Sequence, residues 1–215
     1  MMERSKSKNE LIISYLLLRR IIGILGISFP FVLALGDIII FRTGLARSIS
    51  HFYHTGMGDV FVGTLCVIGF FLLSYKGYTS EDDVFGDLGC VFAVGVALFP
   101  THATPDDQGI IGYIHLAFAT LFFLTLIYFS LVLFTKTDPN LQMTKRKYLR
   151  NKIYKICGYT MAFCIVLIAI YKLLPDDVAS RFEAYKPVFV LEGIAIVVFG
   201  ISWLTKGGGL LRDET

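Results

Sequence analysis

The sequence predicts an all-α fold, a polytopic bundle of transmembrane helices with about six spans and possibly seven. Of the 215 residues, 55% are hydrophobic and 17% are charged, and the mean hydropathy is +0.66. This composition excludes a soluble domain, in which about a quarter of the residues are charged. Several apolar runs are also long enough to cross the hydrocarbon core, which takes about 20 helical residues.

The predicted spans occupy most of the chain. Residues 1–19 form a predicted cytoplasmic or interfacial N-terminal segment, residues 20–205 the transmembrane bundle, and residues 206–215 a cytoplasmic tail. The individual spans are 20–41, 57–75, 85–100, 110–134, 153–174 and 187–205.

Local sequence features support these spans. The first span starts after Arg19-Arg20, and residues 9–20 are predicted to lie at the membrane surface as an amphipathic lead-in. Pro187 suits the first turn of the sixth helix, because proline lacks the N–H that would have no partner there. In the third span, small residues at a four-residue spacing favour close contact with a neighbouring helix. These are Gly89, Ala93 and Ala97.

Lysine and arginine are unequally shared between the predicted loops. Fifteen of the 20 lie in the N-terminal segment, the second loop, the fourth loop and the tail, whereas four lie in the first and fifth loops. Because cytoplasmic loops carry an excess of these residues, both termini are predicted to face the cytoplasm. The first, third and fifth loops then face the outer side.

The histidines cluster on this predicted outer side. All of them lie in or near its loops: His51, His54, His102 and His115. Three further polar residues are placed on the same side by the topology: Ser50, Asp59 and Glu192. Ionisable side chains at membrane depth are costly, so such a cluster is a candidate functional site. Asp37, near the outer end of the first span, is expected at the interface, and Asp106-Asp107 in a solvated loop.

The histidines suit a zinc site built from different helices. We expect His54 and His115 to supply two ligands, and either His102 or His51 the third. Zinc with three protein ligands keeps a position for water, and it lowers the pKa of that water from 15.7 to about 7.

The other polar residues suit the chemistry of such a bound water. Asp59 or Glu192 is a candidate base that would take its proton. Ser50 is a candidate donor to a substrate oxygen, or a group that orients the water. At the level of the head groups, a site of this kind would meet the ester, amide or phosphate bonds of a lipid.

Two resemblances bear on this prediction. Segments 48–63, 75–78, 97–101 and 199–207 resemble a bacterial multi-pass membrane family of unknown function, and this resemblance covers nearly the whole chain. It implies a location in the bacterial inner (cytoplasmic) membrane, with the candidate site facing the outer side.

The second resemblance rests on Ser50-x-x-x-His54 followed by an aspartate. This pattern is similar to that of the CREST superfamily of intramembrane hydrolases, which includes alkaline ceramidases and adiponectin-type receptors. The resemblance implies a zinc held by three histidines, with Ser50 as the hydroxyl, His54 as a ligand and Asp59 as the aspartate. The chain departs from the superfamily in having six predicted spans rather than seven. It also has no His-x-x-x-His pair in its last span, where Glu192 is the strongly polar group.

The sequence therefore favours a zinc-dependent hydrolase that acts on a membrane lipid near the outer leaflet. One alternative is a proton-coupled transporter or channel with Glu192, Asp59 and His115 as relay residues. Another is a non-enzymatic membrane sensor or assembly factor. The basic run 145–155 is typical of a membrane anchor, so no nucleic-acid partner is expected. The four cysteines lie in apolar runs and are expected to be buried thiols.

Overall fold

The computed structural model describes residues 2–77, 79–104, 109–137 and 143–211, with side chains from residue 15 onward. This part of the chain is helical and contains no β-strand, as the sequence predicts. The α-helices are α1 (Met2–Gly36), α2 (Gly58–Leu73), α3 (Ser80–Leu98), α4 (Ile110–Tyr128), α5 (Lys145–Lys172), α6 (Asp176–Ala179) and α7 (Pro187–Lys206). Two π-helical turns extend α1 and α4: Asp37–Phe41 and Phe129–Leu133. Two 3₁₀ helices lie in connections: Ser50–His54 and Ser180–Tyr185.

Four segments of the described chain are long and apolar enough to cross a membrane, which identifies a membrane protein. They are Tyr15–Phe41, Ile110–Leu133, Lys145–Lys172 and Pro187–Lys206. Large apolar side chains also cover much of their outer surface, such as Ile40, which is 71% exposed, and Phe163, which is 62% exposed. The helix α2 is apolar but has 16 residues. Since α3 begins with three acidic residues, the count of six spans stays a prediction for α2 and α3.

Several helices extend beyond the apolar segments that the sequence marks. The helix α1 is continuous from Met2, so residues 9–20 belong to the same helix as the first span. The helix α3 begins at Ser80 rather than residue 85, because Thr79 and Asp82 form a capping box. In α5 the basic residues from Lys145 onward are already helical, and Thr144 caps them by accepting from the Lys147 N–H at 3.1 Å.

The helices alternate in direction and meet closely where side chains are small. Gly89, Ala93 and Ala97 are buried in α3, as predicted from their spacing. The helix α7 begins with Pro187 in its first turn, also as predicted.

Three of the four cysteines are buried, Cys66 is half-buried, and none forms a disulfide. Asp37, expected at the interface, is 1% exposed and lies at the start of the π-helical turn.

The helices α1 and α7 cross at two glycines that allow their backbones to touch. A Cβ on Gly200 would lie 2.6 Å from the Gly23 carbonyl oxygen and 2.6 Å from the Ile27 nitrogen. A Cβ on Gly23 would in turn lie 2.8 Å from the Gly200 carbonyl oxygen. Neither backbone can yield to relieve such contacts, so this crossing admits no side chain.

We therefore expect Gly200→Val to separate α1 from α7 and to lower the stability of the protein. Overpacking of this kind typically costs about 1–3 kcal/mol. Gly63→Ala is the matched control, because a Cβ there has nothing within 4 Å and a helical Gly→Ala change is neutral or favourable. Thermal unfolding in detergent measures both variants. Equal unfolding temperatures for Gly200→Val and wild type would contradict the close crossing.

Candidate functional site

A cavity of about 560 Å³ lies at one end of the bundle, which we call the histidine end. This end is formed by residues 42–57, 99–104 and 173–187, which connect the helices there. The cavity wall includes residues of α4, α5 and α7. It also includes residues before α2 and after α3.

The structure brings five of the seven predicted site residues to this cavity. They are Ser50, His51, His102, His115 and Glu192. The other two lie outside the lining. His54 is exposed, and Asp59 is exposed in the first turn of α2. The predicted residues Asp106 and Asp107 lie outside the described part of the chain.

His115 combines deep burial with one ring nitrogen that has no hydrogen-bond partner among the described residues. Its side chain is 2% exposed, and its Nδ1 lies 2.6 Å from the Phe99 carbonyl oxygen. A carbonyl accepts only from N–H, so Nδ1 carries the proton and Nε2 of the neutral ring keeps a lone pair. Nε2 is buried and has no hydrogen-bond partner within residues 2–77, 79–104, 109–137 and 143–211. His115 therefore lies in the wall of the cavity and carries a buried acceptor nitrogen next to it.

The other three histidines bind the backbone near the α3–α4 connection. His54 Nε2 lies 2.7 Å from the Thr101 carbonyl oxygen, and His102 Nε2 lies 3.2 Å from that of Gly109. The His51 ring hydrogen-bonds to the backbone of His102. Each of these histidines thus donates one ring N–H to the main chain and helps to fix this connection beside the cavity.

Glu192 holds the segment that precedes α2 against α7. Its Oε2 accepts the backbone N–H of Ile49 at 2.6 Å, and the Ser50 N–H also donates to this carboxylate. A second bond runs in the opposite direction, from the Phe189 N–H to the Arg47 carbonyl oxygen at 3.2 Å. Because Ile49 is 2% exposed, its N–H depends on Glu192 for a partner. Glu192 is therefore a structural anchor as well as a cavity residue.

Sequence reasoning missed the basic residues of the cavity. Arg47, Lys172 and Lys186 line it, and Glu183 is the acidic residue besides Glu192. The Arg47 guanidinium also donates to the Ala103 carbonyl oxygen at 2.8 Å. Arg47 and Lys186 are two of the four basic residues in the predicted outer loops, and that rarity is the signal that could have identified them. Their charges make the cavity suitable for an anionic or strongly polar group.

A second, apolar cavity of about 40 Å³ adjoins the first. It lies among the helices, and rings such as Phe61, Phe122 and Phe199 form much of its wall. Ser50 and Glu192 line both cavities. The polar space at the histidine end therefore borders apolar space in the interior of the bundle.

The described part of the chain shows no group of side chains that could hold a metal ion. Within the described residues, no three or more His, Cys, Asp or Glu side chains lie close enough together to hold a metal ion. The nearest pair of histidine rings described is His51 and His54, whose centroids are 5.5 Å apart. The zinc ligands predicted from sequence stay a prediction.

The surroundings of His51 lower the pKa of its ring. Its partial burial lowers its pKa below 6.5, and the positive charge of Arg47 lowers the pKa further. The positive charges of His54 and Lys186 act in the same direction. The bond to the His102 backbone raises the pKa and so offsets part of this lowering, and His51 is mainly neutral at pH 7.

This lowered pKa predicts a pH dependence of stability. A histidine whose pKa is lower in the folded state binds its proton more readily when unfolded. The stability from neutral His51 is complete above pH 6.5, and it is lost as the pH falls from 6.5 towards the folded-state pKa. We expect wild type to lose more stability over this range than His51→Gln, which keeps an N–H donor but does not titrate. Thermal unfolding against pH measures the difference, and parallel curves would contradict it.

Comparison of the chain with models of protein families, with curated proteins and with solved structures found no match. The resemblance to the CREST superfamily therefore stays a prediction from the sequence.

Proposed function

We propose that this membrane protein is a lipid hydrolase that cleaves an ester or amide bond in the cavity at the histidine end, with His115 as the general base. The observation that carries the proposal is the buried Nε2 of His115, which has no partner in the described part of the chain, while Nδ1 is fixed by the Phe99 carbonyl. A base held in one tautomer and one orientation is what general base catalysis requires.

The proposed reaction uses water as the nucleophile. His115 Nε2 takes a proton from a water molecule as its oxygen attacks the carbonyl carbon of the substrate. The bond from that carbon to the ester oxygen or amide nitrogen then breaks, and the imidazolium returns the proton to the departing alcohol or amine. Cationic side chains in the cavity wall, such as Lys172 and Lys186, would stabilise the negative charge on the carbonyl oxygen.

The two cavities suit an amphiphilic substrate. Arg47, Lys172 and Lys186 provide a basic environment for a polar or anionic head group. The adjoining apolar cavity would take a short apolar part of the same molecule. The membrane supplies such molecules directly to a site between its helices.

The charge distribution supports an orientation for this site. Both termini would face the cytoplasm, since fifteen of the 20 Lys and Arg residues lie on the predicted cytoplasmic side. The histidine end would then face the outer leaflet. The proposed location is a bacterial cytoplasmic membrane, in keeping with the family resemblance of the sequence.

Hydrolysis of fluorescent lipids by the purified protein tests the proposal. Vesicles would carry an ester-linked or an amide-linked lipid with a fluorescent acyl chain, and release of the labelled acid would be followed. We expect turnover of at least one of these lipids by wild type. If the folded protein hydrolysed neither the ester-linked nor the amide-linked lipid, the proposed activity would be overturned.

The zinc-dependent form of the reaction remains open to a direct test. A zinc enzyme of the predicted kind would contain about one zinc per chain, and it would lose both metal and activity in His54→Ala. If His115 acts without such a ligand set, His54→Ala retains activity, because His54 is exposed and lies outside the cavity lining. Metal analysis and lipid hydrolysis, measured on wild type and His54→Ala, separate the two forms.

Proton-coupled transport is a second candidate, favoured by the position of Glu192 on the walls of both cavities. A carboxyl group between an open polar space and the interior of a bundle is typical of a proton relay. Proton flux into liposomes that is lost in Glu192→Gln would support this function. Hydrolysis without flux would reject it.

A further inference from the structure

The cavity at the histidine end has two cations close together in its wall. Arg47 lies in the segment before α2, and Lys186 is the residue that precedes α7. Both are half-buried, and the charges of both act on the ring of His51, which lies in the same wall. Two cations from distant parts of the chain therefore lie beside one part of this cavity.

Arg47 is held in place through both its backbone and its side chain. Its carbonyl oxygen accepts the Phe189 N–H at 3.2 Å, and its guanidinium donates to the Ala103 carbonyl oxygen at 2.8 Å. A guanidinium has five N–H groups, and the bond to Ala103 uses one of them. Because paired N–H groups of arginine match the oxygens of a phosphate, the fixed Arg47 side chain suits an anion of this kind.

Lys186 adds a charge at the start of a long helix. Its backbone is left-handed, with φ 50° and ψ 51°, a conformation that is uncommon for residues other than glycine. The helix α7 has 20 residues, and its first turn reaches the cavity through Pro187 and Val188. Since the N-terminus of a helix carries a partial positive charge, it reinforces the charge of Lys186 at this wall.

The acidic residues of the wall have other surroundings than these two cations. Glu192 accepts two backbone N–H groups, and Lys172 is the cation whose charge acts on it. Glu183 is exposed, and within the described residues no ion pair joins it to Arg47 or Lys186. An anion beside Arg47 and Lys186 would therefore not have to displace either of these carboxylates.

The cavity also has the size and the neighbourhood that a lipid head group needs. Its volume of about 560 Å³ lies in the usual range of small-molecule sites, about 300–1,000 Å³. It adjoins apolar space among the helices and has His115 in its wall. In a phospholipid, the acyl ester bonds lie between the phosphate and the apolar chains. A phosphate beside the two cations would thus leave an ester bond within the cavity that His115 borders.

We propose that this cavity binds the phosphate of an anionic phospholipid through Arg47 and Lys186, and that this lipid class is the substrate. Binding of the lipid does not depend on its cleavage, whereas its role as the substrate rests on the proposed function. Inorganic phosphate offers the same oxygens and charge without the apolar chains, so the two sources can be separated by experiment.

Thermal unfolding of the detergent-purified full chain, titrated with four probes, tests the binding. The probes are short-chain phosphatidylglycerol, phosphatidylcholine and diacylglycerol with the same chains, and inorganic phosphate. We expect phosphatidylglycerol to raise the unfolding temperature and to bind about tenfold more tightly than phosphatidylcholine, whose choline brings a positive charge to the two cations. Diacylglycerol should have no effect.

Three results would overturn this binding. Phosphatidylglycerol and phosphatidylcholine would bind alike if Asp106 and Asp107, which lie outside the described part of the chain, neutralised the cations. Equal stabilisation by diacylglycerol would show that the phosphate is not recognised. Stabilisation by inorganic phosphate at the concentrations at which phosphatidylglycerol acts would assign the site to free phosphate instead of a lipid.

Release of labelled acid from the two phospholipids separates this inference from the proposed function. If phosphatidylglycerol binds more tightly but neither lipid is hydrolysed, the hydrolase fails and the head-group site stands. If both lipids are hydrolysed at the same rate and bind equally, the hydrolase stands and the head-group site fails.

Two variants and a matched control locate the site. Arg47→Gln and Lys186→Asn each remove one charge, and asparagine accepts the left-handed conformation of residue 186. We expect each to weaken phosphatidylglycerol binding about tenfold, the usual effect of losing one hydrogen bond to a charged group. Arg42→Asn is the control, because Arg42 is an exposed cation at the same end, has φ 54° and lies outside the cavity lining. Unchanged affinity in Arg47→Gln or Lys186→Asn, or equal weakening in Arg42→Asn, would contradict the proposed site.

Discussion

Replacing His115 with asparagine is expected to lower lipid hydrolysis about 10²–10⁴-fold, the usual contribution of a general base. The asparagine amide places an N–H near the position of Nδ1, so it can still donate to the Phe99 carbonyl. It lacks the lone pair of Nε2. The change therefore removes the proposed base and keeps the hydrogen bond that fixes this turn of α4.

The matched control for this variant is His54→Gln. His54 is exposed and lies outside the cavity lining, and a glutamine amide can replace its Nε2–H in the bond to Thr101. We expect this variant to hydrolyse the fluorescent lipid at the rate of wild type. If His115→Asn kept full activity with an unchanged unfolding temperature, another group would have to be the base. If His54→Gln alone lost activity, His54 would be that group or a metal ligand.

The second large effect is expected from Glu192→Ala. This change leaves the buried N–H of Ile49 without its acceptor, at a cost of about 1–3 kcal/mol. Glu192→Gln keeps one acceptor oxygen and should fall between wild type and Glu192→Ala. We expect the segment before α2 to detach from α7, and proteolysis near residues 42–57 to increase. Unfolding in denaturant and limited proteolysis measure these two effects.

Glu183→Ala is the control for Glu192→Ala. Both residues line the same cavity, but Glu183 is exposed and holds no buried backbone N–H among the contacts described. Its removal should change stability by less than about 0.5 kcal/mol, as is usual for surface substitutions. A Glu192→Ala protein as stable as the Glu183→Ala protein would show that the segment before α2 does not depend on this carboxylate.

The sequence was sufficient to predict which residues share one end of the bundle. Alternate loops of antiparallel helices lie at the same end, so the positions of His115 and Glu192 follow from the spans alone. The four-residue spacing of small residues also predicted which side chains of α3 are buried. The missing N–H of proline predicted Pro187 in the first turn of α7. These features depend on spacing along one helix or on the count of spans, which a single sequence contains.

The parts that the sequence could not predict depend on contacts between segments. The outward position of Asp59 follows from the rotation of α2 about its axis, which its apolar composition on all sides does not determine. The bonds from His54 and His51 to the α3–α4 connection are made across the bundle, with partners that are backbone carbonyls. A backbone carbonyl leaves no sign in the sequence, so these histidines looked like ligands rather than like supports of a loop.

The most direct test of the account is the state of the His115 ring, measured by nitrogen NMR on protein labelled at histidine. The His115→Asn spectrum identifies its signals by their loss. We predict a neutral ring with the proton on Nδ1, and an Nε2 signal that shifts when a non-hydrolysable analogue of the cleaved lipid is added. A proton on Nε2, or an Nε2 signal that does not respond to the analogue, would contradict the assignment of His115 as the base of this cavity.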